Sequence, residues 1–287
     1  MTDAPIGVFD SGVGGLSVLR EIRTALPQEN LIYVADSGSA PYGDRPREFI
    51  RERAETIVEF LIGERVKAIV VACNTATAVA IQALRSRFTI AIVAMEPPVK
   101  PAAAISRSGV IGVLATSRTL ASESFARLAE KYGKGVRILL QPCPGLMEQV
   151  EKAELDGPRT KELVASYLRP LLDRGADTIV LGCTHYPFLL PIIRAIAGPT
   201  VSVIDPAAAV ARQLRRRLNA GKSLSSTGNP GTERFWTSGA PDQVKPVVAR
   251  LWGKHVDVHS LPLALSAPYS AIAMERADRP FDAKLRK

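Results

Sequence analysis

The chain has 287 residues, 46% of them apolar and 23% charged, with a formal net charge of +9. That length and balance describe a soluble globular protein with room for two domains of roughly 100–200 residues each. No apolar run approaches the roughly 18 residues of a membrane span. The start "MTDAPIGVFD" lacks a basic stretch followed by an apolar one, and three scattered cysteines cannot build a disulfide framework. Membrane and exported classes are therefore set aside, and a cytoplasmic location is expected.

The first predicted element, "IGVFD" from Ile6, is a short apolar strand that runs into "SGVGGLSVLREI" and a helix. A dinucleotide loop of the form G-x-G-x-x-G would need its third glycine where Ser17 stands, and no Gly-Lys-Ser/Thr follows, so neither phosphate-binding fingerprint is met. What remains is a glycine-permitted turn that brings backbone close to a small ligand while Asp10 and Ser11 project from a strand end. Taken alone, Asp10 is better read as a helix N-cap.

Further along, "LIYVA" leads into "ADSGSAPYGDR", where Pro41-Tyr42-Gly43 reads as a plain turn or as a segment closing over a small substrate. The stretch "PREFIRERAETIVEFLIGE" places Ile50, Ala54, Ile57, Val58 and Leu61 on one helical stripe with charges opposite. "AIVVA" ends at Cys73, Asn74 and Thr75; "IAIVA" ends at the proline cluster of Met95 to Pro101, an expected domain boundary. "VIGVL" leads to Thr116 and Thr119, "VRILL" follows, and "TIVLG" ends at Cys183, Thr184, His185, Tyr186 and Pro187. After "VSVI", the segment "IDPAAAV" is expected to return the chain to its first half. These crossings divide the chain into 1–97 plus 207–262, a second domain at 98–206, and a tail at 263–287.

Strands that are apolar almost throughout are covered on both faces, and their alternation with helical stretches argues for α/β architecture with mostly parallel sheets. An approximate repeat is visible: the turns at Asp10 and Cys73 correspond to those at Thr116 and Cys183. The basic runs "RQLRRRL" and "RADRPFDAKLRK" carry no interleaved aromatic residues and no nucleic-acid signature. They read as a solvated helix face and a frayed end, so nucleic acid is not expected as a specific partner.

In open α/β sheets ligands gather beyond the carboxyl ends of the strands, where all four turns fall. Each of Cys73 and Cys183 precedes a predicted helix N-terminus, which favours thiolate and lowers a thiol pKa from about 8.5. One buried cysteine would read as an inert core residue; two at equivalent places are harder to dismiss. Disulfide exchange uses C-x-x-C, which is absent. Zinc at Cys73, Cys183 and His185 lacks standard ligand spacing. A cysteine nucleophile with His185 as base leaves Cys73 unexplained. Proton transfer at opposite faces of one carbon uses both thiols. Ser11, Asn74, Thr75, Thr116, Thr119 and Thr184 offer hydroxyls or an amide for an amino acid's ends, and Asp10 could pair with its ammonium.

The segments "FDSGVGGLSV", "DSGSAPYG", "ACNTAT", "LATSRT", "CPGLMEQVE" and "GCTHYP" resemble those of bacterial glutamate racemases, within the cofactor-independent aspartate/glutamate racemase superfamily, over roughly residues 6 to 260. The resemblance implies two pseudo-symmetric α/β domains with the active site in the cleft between them. It implies interconversion of L- and D-glutamate for peptidoglycan precursors, with glutamate as the small-molecule partner, a homodimer, no cofactor and no metal. Carried over by position, Cys73 and Cys183 are the acid/base pair, with Asp10 and His185 supporting them. The substrate contacts are Asp10, Ser11, Tyr42, Gly43, Asn74, Thr75, Thr184 and His185, with Thr116 and Thr119 nearby. Glu151 matches a glutamate often placed near the site, and Cys143 a motif cysteine without a catalytic role. The chain departs from the family at Ser37, usually threonine, and at Asp44-Arg45-Pro46. His185, where similar aspartate racemases carry an acidic residue, leans towards glutamate over aspartate.

Overall fold

All eight apolar runs form strands: β1 (Ile6–Asp10), β2 (Leu31–Ala35), β3 (Ala68–Val71), β4 (Ala91–Ala94), β5 (Val110–Ala115), β6 (Arg137–Pro142), β7 (Thr178–Gly182) and β8 (Ser202–Ile204). The computed structural model describes residues 3–262, and the expected tail at 263–287 lies outside them. Two further strands, β9 (Glu233–Thr237) and β10 (Val258–Ser260), escape a reading based on apolar runs. β9 is "ERFWT", whose Arg234 pairs with Glu64 at 2.8 Å and whose Glu233 pairs with Arg23 at 2.7 Å, while Phe235 and Thr237 are buried. Its Phe235 and Trp236 pack on opposite faces, but the charged Glu233 and Arg234 interrupt the apolar run that marks the other strands.

The strands make two sheets, one ordered β10, β9, β2, β1, β3, β4 and the other β6, β5, β7, β8. Every strand pair is parallel. The order β2, β1, β3, β4 in the first sheet is repeated as β6, β5, β7, β8 in the second, so the sequence repeat is a repeat of topology. In the first, Val8 of β1 lies between Tyr33 and Val70; in the second, Val113 of β5 lies between Leu140 and Val180. The larger sheet draws its strands from both ends of the described chain.

Helices cover both faces, as the nearly continuous burial of β1, β2, β3, β5 and β7 demands. The stripe Ile50, Ala54, Ile57, Val58 and Leu61 of the helix Arg47–Gly63 is wholly buried, as its period predicts. Each of the larger side chains among them, Ile50, Ile57, Val58 and Leu61, contributes about 1.5–3 kcal/mol of burial. The helix Ala207–Ala220 buries Val210, Ala211, Leu214 and Leu218 and turns Arg212, Arg215, Arg216 and Arg217 to the surface.

In each sheet the chain leaves the central strand towards one side and returns on the other, which creates a switch point at the carboxyl ends of β1 and β3, and of β5 and β7. Asp10 ends β1, Cys73 follows β3, Thr116 follows β5, and Cys183 follows β7. The two switch points face each other.

Candidate active site

Between them lies a cavity of about 80 Å³, the space of a handful of water molecules and so of a small metabolite. Cys73 and Cys183, brought by different sheets, both line it, with Ser11, Asn74, Thr75, Thr184 and His185. Both thiols are free and buried. The lobes touch directly around it: Ser17 Oγ donates to the Thr184 carbonyl at 2.9 Å, and Thr184 Oγ1 donates to Asp10 Oδ2 at 3.2 Å.

On the first lobe, Cys73 caps the helix Asn74–Arg87, its sulfur accepting from the Ala76 N–H at 3.4 Å. Its thiol donates to Ser11 Oγ at 3.6 Å, and Ser11 Oγ donates to Asp10 Oδ1 at 3.4 Å. The helix N-terminus was expected to lower this thiol's pKa. Instead, burial, reinforced by the charge of Asp10, pushes Cys73 far up, so its stable form is the thiol. Asp10 itself is raised by burial, a shift that His185 opposes. Asp10 caps the turn by accepting from the Gly15 N–H at 2.7 Å, and it stands behind the cavity wall, reaching the cavity through Ser11 and Thr184.

The second lobe repeats the scheme. Cys183 Sγ lies 3.6 Å from His185 Nδ1, and His185 Nε2 lies 2.7 Å from Glu151 Oε1. The same Glu151 oxygen accepts from the Val13 N–H at 2.8 Å, in the glycine turn of the first lobe. Burial works against a charged His185, but the hydrogen bonds to Cys183 and Glu151, and their charges, carry its pKa well above the ordinary imidazole value. Each sulfur is thus backed by a carboxylate through one intermediary: Cys73 by Asp10 through Ser11, and Cys183 by Glu151 through His185. Glu151, third from view in the sequence because only motif position marks it, is placed as fully in line as Asp10.

The glycine turn exists to admit this second lobe. A Cβ on Gly14 would lie 2.3 Å from His185 Nδ1, and one on Gly12 would lie 1.9 Å from Glu151 Oε1. Neither glycine carries a positive φ, so close approach and not backbone freedom explains them.

The remaining expected contacts divide in two. Asn74 lines the cavity with both ends of its buried amide free of a hydrogen bond, available to an amine or a carboxylate. Thr75 Oγ1 lies 3.0 Å from Thr116 Oγ1 and 3.2 Å from Thr119 Oγ1, a hydroxyl ring across the lobes; Thr119 stands behind the other two, outside the lining. Tyr42 and Gly43 line the cavity, but the Tyr42 hydroxyl is spent on Asp36 at 2.5 Å. Pro41, of the segment expected to close over a substrate, also lines it, as do Asp44, Ser117, Cys143, Met147 and Glu148, which were not expected as contacts. Among the described residues, no group of three or more His, Cys, Asp or Glu is arranged to hold a metal ion.

Glu151→Gln removes a charge that raises the His185 pKa, so the imidazolium is lost at lower pH than in the parent. The alkaline limb of kcat is expected to move down by about one pH unit, roughly tenfold in rate at a fixed pH on that limb. pH–rate profiles of the two proteins check this; superimposed limbs would refute the role given to Glu151.

A doubled α/β fold thus places a thiol from each of two facing switch points on one small cavity. The profile of the Asp/Glu/Hydantoin racemase family matches residues 6–214, and the chain belongs to that family. It is 53% identical over 263 residues to a glutamate racemase of Methylococcus capsulatus, covering 92% of this chain and 97% of that one. The structure is similar to that of a glutamate racemase isoform from Bacillus anthracis, with a TM-score of 0.84, 33% identity, and coverage of 92% and 99%. It is also similar to a glutamate racemase from Francisella tularensis in complex with D-glutamate, with a TM-score of 0.79, 29% identity, and coverage of 92% and 99%.

Proposed function

We propose that this protein interconverts L- and D-glutamate by proton transfer between Cα and two thiols, Cys73 on one face and Cys183 on the other. The observation that carries the reading is the pair of free sulfurs from separate lobes lining one small cavity, each backed by a carboxylate. Glutamate as substrate is supported by the names of the relatives and by the D-glutamate complex.

In one direction Cys183, as thiolate beside the His185 imidazolium, takes the Cα proton. The electron pair spreads into the α-carboxylate, where fixed donors need no reorganisation as charge develops. The Asn74 amide, the Thr75 hydroxyl and the N-terminus of the helix Asn74–Arg87 are such donors. The Cys73 thiol then delivers its proton to the opposite face, leaving Cys73 as thiolate and Cys183 as thiol. The reverse direction exchanges their duties. The cycle starts from a thiol at Cys73, the form that burial favours, and from a base at Cys183, whose sulfur lies 3.6 Å from His185 Nδ1. Closure of the lobes holds both sulfurs against Cα and keeps water out.

The same proposal includes domains at 1–97 plus 207–262 and at 98–206, a homodimer, a cytoplasmic setting and supply of D-glutamate to peptidoglycan precursors. Free cysteines fit a reducing compartment, and no described helix is long and apolar enough to cross a membrane. Purified protein in metal-free buffer, with no pyridoxal phosphate, should bring either enantiomer of glutamate to the racemate. A strict requirement for pyridoxal phosphate would overturn the reading.

A further inference from the structure

The helix Arg47–Gly63 buries one residue that its apolar stripe does not explain. Arg53, three positions after Ile50, lies on the same side and is 3% exposed. A buried guanidinium is costly unless paired. Its partner is Asp36, 0% exposed, just past the end of β2: Arg53 Nη2 donates to Oδ1 at 2.5 Å and Nε donates to Oδ2 at 3.0 Å. Oδ2 also accepts from the Tyr42 hydroxyl at 2.5 Å. This two-toothed ion pair sits outside the cavity lining and grips Tyr42, which with Gly43 forms the cavity wall facing Thr116.

Other contacts brace the same segment. Phe49 packs edge-on against Tyr42 with ring centroids 6.5 Å apart, and the Gly38 N–H donates to Ser238 Oγ at 3.1 Å. Stability alone does not account for the ion pair, because well-packed apolar residues in place of a buried pair are often as stable or more so. What a bidentate arginine adds is fixed geometry.

We propose that Arg53, acting through Asp36 and the Tyr42 hydroxyl, is a positioning residue for the Tyr42–Gly43 wall, and that this wall sets substrate affinity without taking part in proton transfer. The proposal rests on the racemase reading. It separates KM from kcat: a loosened wall costs binding, while the sulfurs remain in place.

Racemisation kinetics of Arg53→Met, Arg53→Lys and Tyr42→Phe beside the parent test it. For Arg53→Met, KM is expected to rise about tenfold, equivalent to roughly 1.4 kcal/mol of binding, with kcat within about threefold. Arg53→Lys, keeping the charge but losing one tooth, should restore part of that loss, and Tyr42→Phe should raise KM by about threefold. A soluble Arg53→Met protein with unchanged KM, or with kcat falling while KM holds, would overturn the proposal. If Arg53→Met does not fold, Tyr42→Phe decides in its place, and an unchanged KM there overturns it equally. Calorimetric D-glutamate affinity reads the same shift without turnover. An inactive parent that binds D-glutamate would therefore refute the racemase reading while affinity still decides this one.

Discussion

Cys73→Ser and Cys183→Ser are each expected to lower racemisation by at least about 10³-fold while leaving one-sided chemistry intact. A serine hydroxyl is too weak an acid and its alkoxide too rare to replace a thiol, and acid/base groups of this kind contribute about 10²–10⁴-fold. The intervention is sterically mild, since both cysteines sit at strand ends in a cavity and the helix cap at Cys73 can be kept by a serine oxygen. Each variant retains one working sulfur on one face of Cα. Each should therefore still eliminate the leaving group from a β-substituted analogue of one configuration, and the two variants should choose opposite configurations. Elimination assays with both analogue enantiomers check this. Loss of all chemistry with both would mean that the sulfurs only pack.

Gly14→Ala is the second large effect expected. Its new methyl would overlap the His185 ring, which is 1% exposed and hydrogen-bonded to Glu151, and so cannot swing aside. Overpacking of this sort costs about 1–3 kcal/mol of stability. A displacement of about 1 Å at a catalytic group can cost about 10²-fold in rate. Gly12→Ala meets the carboxyl end of a more flexible Glu151 side chain and should be milder. Thermal melting and kcat/KM of the two variants check the order; a fully active Gly14→Ala protein would mean that His185 has room which its surroundings do not provide.

Much of this was legible in the residues. Period and β-branching located eight strands because β1, β2, β3, β5 and β7 are buried on both faces and the more exposed β4, β6 and β8 still carry apolar runs. β9 left none, since Glu233 and Arg234, held in ion pairs with Arg23 and Glu64, break its apolar run. Position after a strand end identified Cys73, Cys183, Ser11 and Asn74, because the carboxyl ends of parallel strands are where a doubly wound sheet exposes side chains. The ionisation of Cys73 was not legible: proximity to a helix N-terminus is local, whereas desolvation and the nearness of Asp10 arise only from the folded arrangement. Arg53 was hidden in the same way. A helix wheel counts it among charges, although its place three residues after Ile50 puts it on the buried side, and only Asp36, brought from β2, makes it tolerable there.

The glycines of the opening turn show the same division. Their failure to match a nucleotide fingerprint could be read directly, but the reason for them, room for two side chains from the other lobe, depends on a contact between distant parts of the chain.

The most direct measurement is the origin of the hydrogen at Cα after a single passage through the site in D₂O, starting separately from L- and D-glutamate. Two monoprotic acids on opposite faces predict product carrying solvent deuterium while unreacted starting material, recovered early, carries none. Product that keeps the original protium would mean that one base had moved the same hydrogen from face to face, and the account would fail.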